Sequence, residues 1–152
     1  MSSRESAGQP ALSREQLRAQ RAAAFVKSVD GEGSGGPGDV RARYNTLIHK
    51  LPIWIRTNGV LQTMAFLAAK QGNNDKPRQG PARAAELVLQ HVREHLVDAG
   101  LMSPKGDLLD VIAKAEGERY SLIQEEAMRA AAWHKRFAAA TWGDEDEIRG
   151  AS

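Results

Sequence analysis

Between residues 44 and 70 the apolar positions keep a helical rather than an alternating rhythm. Val40, Tyr44, Leu47, Ile48, Leu51 and Ile55 fall at steps of four, three, one, three and four, the period that gathers side chains onto one face of an α-helix. Such a face needs a partner to bury it. Thr57-Asn58-Gly59 then predicts a stop, since Asn and Gly tolerate the left-handed backbone that closes a helix. The rhythm resumes at Val60, Leu61, Met64, Ala65 and Ala68, so two helices are expected to meet at a tight corner. Pro52 lies inside the first of them. It lacks the amide that would bond the carbonyl of Ile48, and predicts a kink or a division near Leu51.

The flanking chain carries four more helical stretches. Ser13, with Gln16 three residues on, predicts a capping box opening a helix that has Leu17, Arg21, Ala24, Phe25 and Ser28 on one face and ends near Val29. Residues 30–38 contain five glycines and a proline and predict a flexible loop. Asp39 is the expected cap of the central stretch, whose second helix ends before Gly72; residues 72–81 are a polar, breaker-rich loop. The helical period returns over 82–99 through Leu87, Val88, His91, Val92 and Leu96, and Gly100 closes it. Ser103-Pro104 has the cap-then-proline signature of a short helix carrying Leu108, Leu109 and Ile112 to about Lys114. A last long helix begins near Glu118 or Ser121 and reaches about Thr141, with Tyr120, Ile123, Ala127, Ala130, His134, Phe137 and Ala138 inward. Trp142-Gly143 and acidic residues 144–147 end it.

No strand pattern of useful length interrupts this series, so the expectation is an all-α, single-domain bundle of about six helices without a sheet. Its bounds are a helical domain over 13–142, a disordered N-terminal segment over 1–12 and an acidic tail over 143–152.

Composition narrows the chemistry. A chain of 152 residues suits one core. Without cysteine there is no disulfide framework, thiol nucleophile or cysteine zinc site. No apolar run approaches the roughly 18 residues of a spanning helix, and no secretory signal opens the chain, so a soluble, cytoplasmic protein is expected. The net charge of +2 hides an asymmetry: residues 1–90 carry 13 Lys and Arg against 7 Asp and Glu, whereas residues 91–152 carry 8 against 12. The basic half is a pointer toward a polyanion.

Catalytic patterns are scarce. His91 and His95 stand at i, i+4, which puts two imidazoles on one helix face, but HVREH lacks the register of the HExxH zinc motif and no third ligand stands out. The plainer reading is one partly buried and one surface histidine. The glycines of 31–38 follow no strand and precede no Gly-Lys-Ser or Gly-Lys-Thr, which excludes a P-loop, and no serine sits in a Gly-x-Ser-x-Gly elbow. Glu125-Glu126 and residues 144–147 read as solvated carboxylates. Neither a cofactor nor a metal site is expected.

Basic residues make a stronger pattern. Arg14, Arg18 and Arg21 form a stripe suited to a phosphate backbone; Lys50, Arg56 and Lys70 decorate the central pair, and Arg136 adds charge to the last helix. Lys76, Arg78, Arg83, Arg129 and Lys135 are further cations, any one of which is also ordinary on an exposed helix. The few aromatics sit mostly at core spacing, favouring packing over base stacking.

Leu51-Pro52, Ile55, Asn58-Gly59, Thr63, Ala65 and Phe66, together with Tyr120, Glu125-Glu126-Ala127 and the closing Trp133-His134-Lys135-Arg136-Phe137-Ala138, resemble the small α-helical subunit of type III-B CRISPR effector complexes, the Cmr family. The opening helix with Arg21, Ala22 to Ala24 and Val29 fits as well, so the resemblance covers residues 13–142. It implies a non-catalytic structural subunit in antiviral defence, stacked head to tail with copies of itself beside the other subunits of the effector complex and along guide and target RNA. Target cleavage and signalling would belong to neighbouring subunits. Backbone contact is then expected from Arg14, Arg18, Arg21, Lys50, Arg56, Lys70 and Arg136. The competing expectation is a helical protein-interaction module with no nucleic-acid role; a hydrolase using His91 and His95 ranks far behind.

Overall fold

The computed structural model describes residues 11–32, 39–73 and 76–143. Most of the expected N-terminal segment, most of the glycine loop and the acidic tail beyond Gly143 lie outside them. Six helices follow in order: α1 (Arg14–Asp30), α2 (Val40–Asn58), α3 (Val60–Gln71), α4 (Gly80–Asp98), α5 (Leu108–Lys114) and α6 (Gly117–Trp142). The described residues form no strand, and the fold is all-α.

Helix α2 is the centre. Its Tyr44, Leu47, Ile48, Leu51 and Ile55 are buried, and it packs against α4 on one side and α6 on the other. Helix α1 lies along α6, α3 along α4, and α5 closes against α3. Leu67, Val88, Leu96, Ile112 and Ile123 bring α3, α4, α5 and α6 into the same apolar cluster, and Val29 brings in α1.

The helix ends explain themselves locally. Ser13 Oγ accepts the Gln16 amide at 3.1 Å while Gln16 Oε1 accepts the Ser13 amide at 2.8 Å, so the capping box forms as the sequence predicts. Asp39 caps α2 by accepting from the amides of Arg41 and Ala42. The corner between α2 and α3 is a single residue, Gly59, at φ +87°, a backbone angle that favours glycine. No side chain of its own caps α3. Helix α6 does so instead: Gln124 Oε1 accepts the Val60 amide at 2.7 Å while its Nε2 donates to the Ile55 carbonyl at 2.8 Å. One side-chain amide thus satisfies both sides of the corner.

Four local expectations need correction. Pro52 does not divide α2, which runs unbroken to Asn58, because buried residues before and after it hold both turns to the core. On α1 the buried positions are Arg18, Ala22, Val26 and Val29, one step round from the expected face, and Leu17 is left 40% exposed. The Ala22–Ala23–Ala24 run offers small residues in every direction, so periodicity there does not select the face. Ser103-Pro104 forms a turn, with the Gly106 amide bonding the Ser103 carbonyl at 2.9 Å, and the cap of α5 is Asp107. Finally, of the two starts expected for α6 only the later one fails: the helix begins at Gly117, beside Glu118 and not at Ser121, and runs to Trp142, one residue past Thr141.

Candidate nucleic-acid interface

The seven cations named from sequence separate into two groups. Those of α1 are committed to acids on other helices. Arg18, 7% exposed, donates from Nε and Nη2 to the two carboxylate oxygens of Glu126 at 2.6 and 2.9 Å, and also reaches Glu15 at 3.2 Å. Arg14 joins the same Glu126 at 3.3 Å. Arg21 makes a fork with both oxygens of Asp98 at 2.7 Å. The expected α1 stripe is therefore not a free phosphate rail, because Arg18 is buried and all three charges are matched. A surface groove of about 430 Å³ does run between Arg14, Leu17, Gln20, Arg21, Ala24 and Asp98, but its two guanidiniums are already paired.

Glu126, read from sequence as solvated, is instead 5% exposed. Burial by itself would raise its carboxyl, but hydrogen bonds and charge from Arg18, with help from Arg14, bring it below its usual range.

The histidines depart further from expectation. His91 and His95 are both buried, at 5% and 1% exposure, and His134 of α6 joins them. Tyr44 Oη lies 2.7 Å from His91 Nδ1 and 3.0 Å from His134 Nδ1, and His134 Nε2 lies 2.9 Å from His95 Nε2. Phe25 stacks on His91 with ring centroids 4.0 Å apart. With every imidazole neutral, the row is satisfied by donation running one way along it: His95 to His134, His134 to Tyr44, Tyr44 to His91, or the reverse. Burial lowers His91 to about 3 and His95 to about 4, and drives His134 well below its ordinary value, with the neighbouring histidines adding repulsion for His91 and His134. Burial likewise raises the Tyr44 phenol well above its ordinary value. No group of three or more His, Cys, Asp or Glu among the described residues is placed to hold a metal ion.

The remaining cations are different. Lys50, Arg56, Lys70 and Arg136 are exposed and make no ion pair among the described residues. Lys70 Nζ lies 5.8 Å from the Phe66 ring centroid, and the Arg136 guanidinium 5.2 Å from that of Trp133. Residues 40–71, which hold α2 and α3, contain Arg41, Arg43, Lys50, Arg56 and Lys70 and not one Asp or Glu. Among the described residues, only Arg41 of these five is paired, with Asp30 and Asp39.

This geometry defines a small all-helical protein with arginines of α1 paired to buried or partly buried acids, a hydrogen-bonded histidine row, and a cationic helix pair over residues 40–71 that contains no acid of its own. The family described as CRISPR-associated protein (Cas_Cmr5) matches residues 14–141. A CRISPR system Cmr subunit Cmr5 from Thermus thermophilus is 30% identical over 127 residues, covering 84% of this chain and 94% of that protein. The crystal structure of a CRISPR-associated Cmr5 family protein from the same organism superposes with a TM-score of 0.57 at 25% identity, covering 86% of this chain and 97% of that one. The chain belongs to the CRISPR-associated Cmr5 family.

Proposed function

We infer that this protein is a structural, non-catalytic subunit of a type III-B CRISPR RNA-guided effector complex, working in the cytoplasm. The observation that carries the reading is the family match, which spans the bundle from the first turn of α1 to the last turn of α6. The buried histidines and Glu126 support the non-catalytic part, since each is engaged by neighbours inside the bundle.

In this reading copies stack head to tail, a contact between two different faces that does not close on itself, beside the larger subunits that hold the guide. Lys50, Arg56, Lys70 and Arg136 contact the phosphates of guide or target RNA; Arg14 and Arg21 contribute only where a phosphate competes with Asp98 or Glu126, and Arg18 holds α1 to α6. Sequence is read by base pairing between guide and target, so a cationic surface without base selectivity is sufficient here.

Co-purification of the tagged chain from its host tests this. The expected result is recovery of other effector subunits together with short RNAs sharing one defined end. Recovery of protein partners without RNA overturns it in favour of a helical interaction module.

A further inference from the structure

Trp54 of α2 and Phe66 of α3 meet edge to face, with ring centroids 5.4 Å apart and planes at 75°. Aromatic pairs of this kind normally belong to a core, yet Phe66 is 47% exposed, Trp54 is only half-buried, and Ile53 beside them is 53% exposed. The two rings, with Asn58, Gln62 and Thr63, line an open cleft of about 210 Å³. The side-chain amides of Asn58 and Gln62 make no hydrogen bond to the described residues. Lys50 stands one helical turn before Trp54 on α2, and Lys70 one turn after Phe66 on α3, so a lysine flanks the cleft on each helix.

We propose that this cleft is a base-stacking site for single-stranded RNA: an unpaired base lies against Trp54 and Phe66, Asn58 and Gln62 meet its polar edge, and Lys50 and Lys70 take the adjacent phosphates. The charge chooses the occupant. Apolar exposure alone would suit a protein partner equally well, but the cleft lies within a stretch of chain that has no carboxylate, so its complement is a polyanion with planar apolar faces. The site rests on the RNA-binding reading above and extends it from backbone contact to base contact. It also departs from the expectation that the aromatics as a set favour packing over base stacking.

The test is a titration of the full chain with a twelve-nucleotide single-stranded RNA and with an abasic phosphodiester chain of equal length, at one low salt concentration. Wild type, Trp54→Leu, Phe66→Leu and Lys50→Gln are compared after circular dichroism has checked each fold; Phe66→Leu, at an exposed position, keeps the test alive if Trp54→Leu fails to fold. The expected result is a loss of roughly ten-fold or more in affinity for the base-bearing RNA on removing either ring, with binding of the abasic chain unchanged. Equal affinity of wild type and both ring variants for RNA, with binding still weakened by Lys50→Gln, overturns the stacking site and leaves backbone binding standing. Failure of the wild type to bind either probe overturns both.

Discussion

The α1 side and the α2–α3 corner of this molecule carry comparable numbers of basic residues and use them in opposite ways. On α1, Arg14, Arg18 and Arg21 converge on Glu126 and Asp98, acids supplied by α6 and by the end of α4, so the charges act as fasteners between helices. At the corner, Lys50, Arg56 and Lys70 sit on helices that contain no acid at all, and no carboxylate among the described residues pairs with them. The number of cations on a helix therefore says little about nucleic-acid binding. What matters is whether the fold brings a carboxylate to meet them.

Acid should disturb the satisfied side most. His91, His95 and His134 all have folded pKa values below the ordinary 6.5, so as pH falls the unfolded chain binds protons first and stability declines from about pH 6.5 downward. The loss attributable to His91 and His95 levels off only near their folded values of about 3 and about 4. Each histidine can remove up to about 1.4 kcal/mol per pH unit in that window. Glu126, whose value is lowered, adds to the loss as pH drops through the carboxylate range. Thermal midpoints between pH 7 and 4.5 should fall by an amount that disappears in neither high nor low salt. A flat profile would mean that the row is solvated.

Next in size is Glu126→Leu. It leaves the buried Arg18 with only the exposed Glu15 as partner, and the cost should be about 3–5 kcal/mol, read as a lower urea midpoint at constant slope. Near-neutral behaviour would place Arg18 in solvent and erase the contrast with the corner. The smallest effect on stability is expected for Lys50→Gln with Arg56→Gln, about 0.5 kcal/mol or less, since neither side chain holds anything in place. The same pair should reduce the slope of log affinity for single-stranded RNA against log salt by up to about 0.7 for each phosphate no longer neutralised. An unchanged slope would show that these charges do not face the nucleic acid.

Much of the fold is legible in the sequence because its signals are local. The α2 stripe from Tyr44 to Ile55, the Ser13–Gln16 box and the Asn58-Gly59 corner depend on residues within a few turns of each other, and all three form as expected. The site is harder to see for the complementary reason. Glu126 reads as solvated beside Glu125, and only the docking of α1 on α6 brings Arg18 within 2.6 Å of it. His91 and His95 lack a partner in their own helix because His134 lies 39 residues beyond His95. A one-step error in the inward face of α1 turns Arg18 into an outward stripe residue, when its guanidinium in fact reaches across to α6. Trp54 and Phe66 fall outside the apolar positions counted on α2 and α3, and spacing does not register how much of Phe66 is left uncovered.

The Gln124 clip has a consequence for how the molecule comes into being. The amide that seals the Ile55–Val60 elbow is 64 residues downstream of Val60 and belongs to the last of the six helices to leave the ribosome. Until α6 is synthesised, the nascent chain already possesses Lys50, Trp54, Phe66 and Lys70 but lacks the clip that fixes the angle between the two helices that carry them. A fragment stopping before Gly117 would carry the same residues without that clip, so the sealed elbow is a feature the chain acquires only late in its synthesis.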